Sequence, residues 1–187
     1  MDTCIQTFSG KYVDVFNIRP EDICLIDIAH ALANTCRFHG HCSTFYSVAE
    51  HSVHVAKYLY HTYPATSGNE KIGKEALLHD ATEAYIGDMA RPIKHSVVME
   101  RFRQLETSLH IAIAERFDLS WPMDPAIKIA DDLLLGAEMD AFFTSNRESD
   151  CTDFQIRDNP VELPYPLIPL CAETRFLAWA ERFGVTE

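Results

Sequence analysis

Four ionisable side chains at predicted helix positions have the types and spacing of a metal site. His51 lies on the inner face of one predicted helix, and the adjacent pair His79-Asp80 follows three apolar residues on the next. Asp131 is embedded in the apolar segment IKIADDLLL of a third. Buried ionisable groups are costly unless they are paired or bound to metal. Two imidazoles and two carboxylates therefore predict one divalent cation, without choosing among Mn, Co, Zn, Fe, Ni and Mg.

Two further carboxylates lie close to these residues in the sequence. Glu83 follows His79 by four positions and Asp80 by three, so the three side chains share one helical face. Asp132 is a rival to Asp131, but it lies about 100° further round the helix. The predicted inner face of that helix includes Leu134, which favours Asp131 as the ligand.

The order His51, His79-Asp80, Asp131 resembles the H…HD…D signature of the HD-domain metal-dependent phosphohydrolases. The segments AEHSVHVA, HDATEAYIGD and KIADDLLL are similar to one branch in particular, the bacterial 5′-deoxynucleotidases and phage deoxynucleoside triphosphohydrolases. The resemblance covers about residues 27–145. It implies an all-α HD-domain helical bundle in which these four residues bind one metal ion, with Asp80 also counted as catalytic.

The resemblance also implies roles for residues around the metal. Glu83 occupies the place of the catalytic acid/base, with a solvated helix carboxylate as the alternative. Asp88, directly after Gly87, matches an aspartate that contacts a sugar hydroxyl, although a plain helix-end residue would look the same. Lys94 follows a helix break at Arg91-Pro92 and is a candidate phosphate contact, with surface charge as the alternative.

The segment CRFHGHC, residues 36–42, allows two interpretations. Cys36, His39, His41 and Cys42 could be zinc ligands, but structural zinc sites usually take two ligands from each of two separated segments. Four ligands within seven residues do not fit that pattern. The resemblance instead implies that Arg37 and Phe38 contact the substrate, with the arginine on phosphate and the aromatic ring against the deoxyribose. The relatives have tryptophan where this chain has Phe38.

Hydrophobic periodicity predicts the elements that must position these residues. A short β-hairpin is expected around Ser9-Gly10, followed by about six or seven helices in a single domain, 1–187. The predicted helices follow Pro20, begin at the Ser47/Glu50 capping box, span roughly 70–86 and about 96–118, run from Asp124-Pro125 to about 145, and span about 170–183. Residues 146–169 are expected to be irregular.

Composition limits the partners. The net charge is −12, which argues against a nucleic-acid polymer or an anionic membrane and favours a small, locally recognised anion. The N-terminus does not resemble a signal peptide, and no apolar run approaches the roughly 18 residues of a membrane span. We therefore expect a cytoplasmic protein with reduced thiols. Relatives form homo-oligomers, and the apolar stripe at 96–118 is a possible interface or part of the core.

Together these observations predict metal-dependent hydrolysis of deoxynucleotides, with the monophosphate favoured slightly as substrate. Release of triphosphate from a deoxynucleoside triphosphate is the first alternative. A non-catalytic nucleotide-binding module that keeps the metal site is the second, although Glu83 would then have no purpose.

Overall fold

The computed structural model describes residues 3–63, 69–143 and 163–186. The chain begins with an antiparallel hairpin of β1 (Cys4–Gln6) and β2 (Tyr12–Asp14), in which Ile5 pairs with Val13. Its turn includes Gly10 at φ +87°, a conformation that glycine adopts without strain. The predicted hairpin is confirmed.

Eight α-helices follow in the described ranges. They are α1 (Leu25–Asn34), α2 (Val48–Thr62), α3 (Asn69–Leu77), α4 (Glu83–Ile86), α5 (Arg91–Lys94), α6 (Glu100–Phe117), α7 (Pro125–Phe142) and α8 (Pro169–Arg182). The predicted all-α bundle is confirmed, and the number exceeds seven because α4 and α5 are short helices of four residues each. Of the segment predicted to be irregular, residues 163–168 contain no helix or strand, and residues 146–162 lie outside the described ranges.

Side-chain caps are present at two of the predicted helix starts. The Ser47 hydroxyl accepts a hydrogen bond from the Glu50 amide at 3.2 Å, and the Asp124 carboxylate accepts one from the Ala126 amide at 2.8 Å. The Glu50 half of the capping box is not formed. One oxygen of that buried carboxylate accepts from the Leu167 amide, and the other has no hydrogen-bond partner.

The prediction of one continuous helix at 70–86 is wrong. α3 ends at Leu77, and a series of turns leads into α4 at Glu83. The cause lies at His79, whose Nδ1 donates to the Ala76 carbonyl at 2.7 Å and so occupies the acceptor that the next helical amide would use. The break places His79 and Asp80 on a turn rather than on a regular helix.

α2 is the central helix of the bundle. All its residues from Val48 to Ala56 are buried, and it packs against α1, α3, α7 and α8. One hydrophobic cluster joins residues from β2 to α8, although the single-domain assignment of the whole chain stays a prediction. Among the described residues, no helix has both the length and the apolar character needed to cross a membrane.

Candidate metal centre

Three side chains from separate parts of the bundle converge on one point. His51 comes from α2, His79 from the turn after α3 and Asp131 from α7, and one ligand atom of each lies within 4.8 Å of the others. The Asp131 Oδ1 atom is 3.2 Å from His51 Nε2. Metal–ligand bonds of about 2.0–2.2 Å bring ligand atoms to similar separations. Asp131, rather than its neighbour Asp132, is the aspartate of this cluster, and its role as a metal ligand stays a prediction.

Asp80 lies beside the same point. Its Oδ2 atom is 3.1 Å from His79 Nε2 and 3.7 Å from His51 Nε2. The carboxylate therefore faces both imidazole nitrogens, as a fourth ligand would. Its assignment as a ligand stays a prediction that this geometry favours.

The two imidazoles are oriented for metal binding. His51 Nδ1 donates to Glu138 at 2.6 Å, and His79 Nδ1 donates to the Ala76 carbonyl. Both Nε2 atoms face the cluster and are buried without a hydrogen bond of acceptable geometry. Metal-binding histidines characteristically use one ring nitrogen for the metal and donate the other to an oxygen. The donor set therefore fits a divalent cation.

Glu138 on α7 was missed by the sequence analysis. Its side chain is fully buried, and its two oxygens accept hydrogen bonds from His51, Tyr46 and Arg37. A signal was present, because Glu138 lies seven residues after Asp131 and so returns to the same face of the helix. A carboxylate on the inner face of a helix is as unusual as Asp131 itself.

The hydrogen bonds of Glu138 extend into a buried network. Arg37 donates through Nη2 at 2.9 Å and through Nε at 3.2 Å, and the Tyr46 hydroxyl donates at 3.0 Å. Because that hydroxyl proton is used, His54 Nδ1 must donate to the Tyr46 oxygen, 3.0 Å away. Burial lowers the pKa of His54 to about 4, so this imidazole is neutral.

The charged groups crowded around the cluster shift one another's pKa values. Burial raises the pKa of Asp80, but His79 and His51 outweigh it and hold that pKa well below the usual range. Asp131 behaves similarly beside His51. Burial and Arg37 oppose a charge on His51, whereas Glu138 and Asp131 favour it and raise its pKa to about 9. A cation at the cluster would take the place of that proton.

Glu83 begins α4 and is almost completely buried. Its Oε2 atom has no hydrogen-bond partner. Burial raises the pKa of Glu83 well above the ordinary carboxyl value, and the negative charges of Asp80 and Asp88 add to the shift. Burial likewise raises the pKa of Asp88. Glu83 and Asp88, both predicted as site residues, therefore interact electrostatically with Asp80, whose carboxylate is ionised.

Arg37 contacts the carboxylates of the cluster region, and Phe38 follows it in the chain. Arg37 is buried, and its Nη1 atom is 3.8 Å from Asp80 Oδ2, while the rest of the guanidinium binds Glu138. The Phe38 ring is partly buried, with the Arg37 guanidinium 5.2 Å from its centroid and the edge of Phe143 against it. Their assignment to substrate stays a prediction.

The His/His/Asp cluster does not include the histidines and cysteines of the segment 36–42. His39 Nε2 accepts a hydrogen bond from the Ala90 amide, which links this loop to the one after Asp88. The thiols of Cys36 and Cys42 face each other, with 3.8 Å between the sulfur atoms.

Basic side chains surround the cluster. Lys94 forms an ion pair with Glu106, which raises the Lys94 pKa against the effect of burial. Asp132, by contrast with Asp131, lies at the exposed rim, where it binds Arg91 at 2.9 Å and also contacts Lys128. Lys128 reaches Asp131 as well, at 2.9 Å. The rim therefore carries cations next to the Asp131 carboxylate.

His110 on α6 is a second residue that the sequence analysis missed. Its ring stacks on Trp121 with 5.1 Å between centroids, and burial lowers its pKa to about 4. It interacts electrostatically with Asp80, Lys94 and His79. The spacing of polar residues did not indicate His110, because its segment has the pattern of a solvent-exposed helix face beside an apolar stripe.

Fold and site together define an all-α protein with a His/His/Asp cluster of metal-binding composition, in which both histidines are buried. No family model matches the chain. It is 37% identical over 134 residues to the uncharacterized protein YfdR of Escherichia coli K12, across 72% of this chain and 69% of YfdR. It is also 37% identical over 153 residues to the uncharacterized protein RCAP_rcc00048 of Rhodobacter capsulatus, across 78% of this chain and 76% of the relative.

The chain therefore belongs to the family of YfdR and RCAP_rcc00048. Neither name states an activity.

Proposed function

We propose that the protein is a metal-dependent phosphohydrolase of the HD-domain type that acts on deoxynucleotides. The observation that carries the proposal is the pair of buried Nε2 atoms, on His51 and His79, that have no hydrogen-bond partner and face two carboxylates. Such a set is costly in a protein interior unless a cation binds it. The ordered HD-type motifs named above support the same assignment.

His51, His79, Asp80 and Asp131 would hold the cation. When bound, a divalent cation supplies Lewis-acid polarisation of the phosphate and lowers the pKa of a water molecule. It also supplies the positive charge that a chain of net charge −12 needs to accept a phosphate.

The protein's own groups then act on the phosphate and on protons. Arg37 Nη1, close to Asp80, balances the negative charge of the phosphate oxygens. Water attacks the phosphorus next to the sugar, and the bond from phosphorus to the 5′-oxygen breaks. Glu83 accepts a proton from the water and returns it to that leaving oxygen, a role favoured by its raised pKa. Phe38 and Asp88 contact the deoxyribose.

A deoxynucleoside monophosphate is the first substrate, with nucleoside and phosphate as products. Triphosphohydrolase activity is the second candidate, and the rim supports it, because Arg91 and Lys128 place two cations beside Asp131. Those cations suit a longer phosphate chain. Attack at the same phosphorus would then release triphosphate.

The test is a panel of deoxy- and ribonucleotides, as mono- and triphosphates, incubated with Mn, Co or Mg and resolved by chromatography. We expect turnover of deoxynucleotides that needs added metal. Absence of turnover with every metal would contradict catalysis, and metal-dependent nucleotide binding without turnover would indicate the non-catalytic module.

Adjacent aspartates on α7 give a matched pair of variants. Asp131→Asn removes a carboxylate of the cluster, whereas Asp132→Asn makes the same change at the rim. We expect the first to lose at least about 100-fold in metal affinity or turnover, and the second to keep most of both. Equal loss in the two variants would refute the site assignment.

We also propose that the protein forms homo-oligomers through the region around α6. Val97 and Val98, just before α6, are each 86% exposed, which is unusual for adjacent apolar residues. Light scattering on the purified chain and on a Val97→Ser/Val98→Ser variant tests this, and an unchanged mass would contradict it.

A further inference from the structure

Two thiols lie next to each other in the loop that carries Arg37 and Phe38. The Cys36 and Cys42 sulfur atoms are 3.8 Å apart, and Cys42 Sγ is also 3.8 Å from the Arg37 carbonyl oxygen. Both cysteines are partly buried rather than fully enclosed.

Backbone contacts hold both ends of the loop in place. Cys36 forms an isolated antiparallel bridge with Ser47, directly before α2. At the other end, the Ser43 amide donates to the Phe142 carbonyl at 2.8 Å. A disulfide bond is about 2.05 Å long, so the sulfurs need to approach by less than 2 Å, which side-chain rotation with a small backbone adjustment can supply.

We propose that Cys36 and Cys42 form a reversible intramolecular disulfide, which makes this loop a site of redox modification. The oxidant is a low-molecular-weight disulfide. One thiolate attacks it and releases one equivalent of thiol; the second cysteine then attacks the mixed disulfide and releases the other. Two protein thiols lose two electrons and two protons, and the oxidant becomes two thiols.

The Cys42 thiol is a weak nucleophile at neutral pH. Burial raises the pKa of this thiol, and the hydrogen bond with Cys36 adds to the shift. Because the thiolate is the attacking species, the raised pKa slows the reaction of Cys42 with an oxidant.

The modification would act on the conformation of the loop. Phe38, His39 and Gly40 all have positive φ, of 56°, 52° and 76°, so the chain reverses sharply between the two cysteines. Two of the three are not glycine, and this conformation is unfavourable for them. A disulfide across residues 36–42 excludes the extended alternatives and keeps the loop in this form.

Peptide mapping tests the disulfide directly. The full-length chain is oxidised with glutathione disulfide, alkylated, unfolded and digested with trypsin without reduction. Trypsin cuts after Arg37, inside the loop, so a link between the cysteines joins peptides 12–37 and 38–57. We expect this linked pair, lighter by two hydrogens than its reduced parts, at oxidant concentrations that leave the buried Cys24 to be alkylated after unfolding.

Serine variants remove the ambiguity between Cys24 and Cys36, which share a tryptic peptide. The link should disappear in Cys36→Ser and in Cys42→Ser, and persist in Cys24→Ser. Separate glutathione adducts on Cys36 and Cys42, or a link that survives Cys36→Ser, would overturn the proposal.

A second measurement rests on the proposed function. Because the loop carries Arg37 and Phe38, oxidation should change KM for the nucleotide at least two-fold, and reduction should restore it. Cys42→Ser should show no such response. A disulfide that forms without any change in KM would overturn its effect on the substrate loop, whereas absence of nucleotide turnover would contradict the proposed function and leave the mapping result as the test of the disulfide.

Discussion

Two arginine–carboxylate pairs near the candidate metal centre have the same length and different surroundings. Arg37 and Glu138 are 2.9 Å apart, as are Arg91 and Asp132. The side chains of the first pair are 10% and 0% exposed, and those of the second are 44% and 38% exposed. The distance between the charged groups therefore does not show which pair contributes more to stability.

The difference lies in what else each carboxylate supports. Glu138 also accepts hydrogen bonds from His51 and Tyr46, so it fixes a candidate metal ligand and a candidate substrate residue together. Asp132 instead pairs with two long, exposed side chains, those of Arg91 and Lys128. Breaking a buried pair leaves an uncompensated charge, whereas water replaces the partner at an exposed one.

The largest effect is expected from Glu138→Ala. It leaves Arg37 and the Nδ1 atom of His51 without their acceptor inside the protein. We expect a loss of about 3–5 kcal/mol in the free energy of unfolding, measured by urea denaturation. Asp132→Ala, on the same helix, should cost less than about 1 kcal/mol. Similar losses in the two variants would show that burial does not separate these pairs.

A smaller effect is expected from Glu138→Gln, which keeps the shape of the side chain. The amide oxygen can still accept from His51, but the charge that orients the imidazole is lost and the amide NH₂ faces the donors of Arg37. Changes at groups that hold metal ligands typically cost about 10–100-fold in affinity. Calorimetric titration with Mn or Zn measures this, with Asp132→Asn as control. Unaltered affinity would mean that Glu138 does not position His51.

The pH dependence of turnover tests the region around Glu83. Burial raises the pKa of Glu83, and Asp88 adds to the increase through its negative charge. In the proposed reaction Glu83 accepts a proton, so activity falls as the pH drops through this pKa. Asp88→Asn removes the negative charge and lowers that pKa, which should move the acidic limb of the kcat profile to lower pH.

Asp118→Asn is the matched control for this shift, since Asp118 is an exposed aspartate at the end of α6. It should leave the acidic limb in place. A limb that stays fixed in Asp88→Asn, or moves to higher pH, would refute the assignment of Glu83 as the proton acceptor.

The sequence predicts the parts of the centre that interrupt an apolar pattern. His51, His79 and Asp131 interrupt apolar stretches of the sequence, so the pattern alone indicates them as candidate site residues. The hairpin and the helix starts at Ser47 and Asp124 follow from local turn and cap chemistry in the same way.

What could not be predicted depends on long-range partners. Glu138 has a place on the inner face, but its role appears only when Arg37, about a hundred residues away, is seen to bind it. The end of α3 at Leu77 was also missed, because apolar periodicity continues through a segment that the His79 side chain turns out of the helix. Side-chain competition for one backbone carbonyl leaves no trace in the pattern of apolar residues.

The smallest effect is expected at the rim and is measured by double-mutant cycles. Arg91→Gln and Asp132→Asn, singly and together, should give a coupling free energy of about 0.2–1 kcal/mol, which decreases as salt screens the exposed charges. Because Lys128 also contacts Asp132, the cycle is repeated with Lys128→Met. The matching cycle for Arg37 and Glu138 should give a larger coupling that salt hardly changes, since both groups are shielded from solvent. Equal salt dependence in the two cycles would contradict the view that burial, and not distance, separates the two pairs.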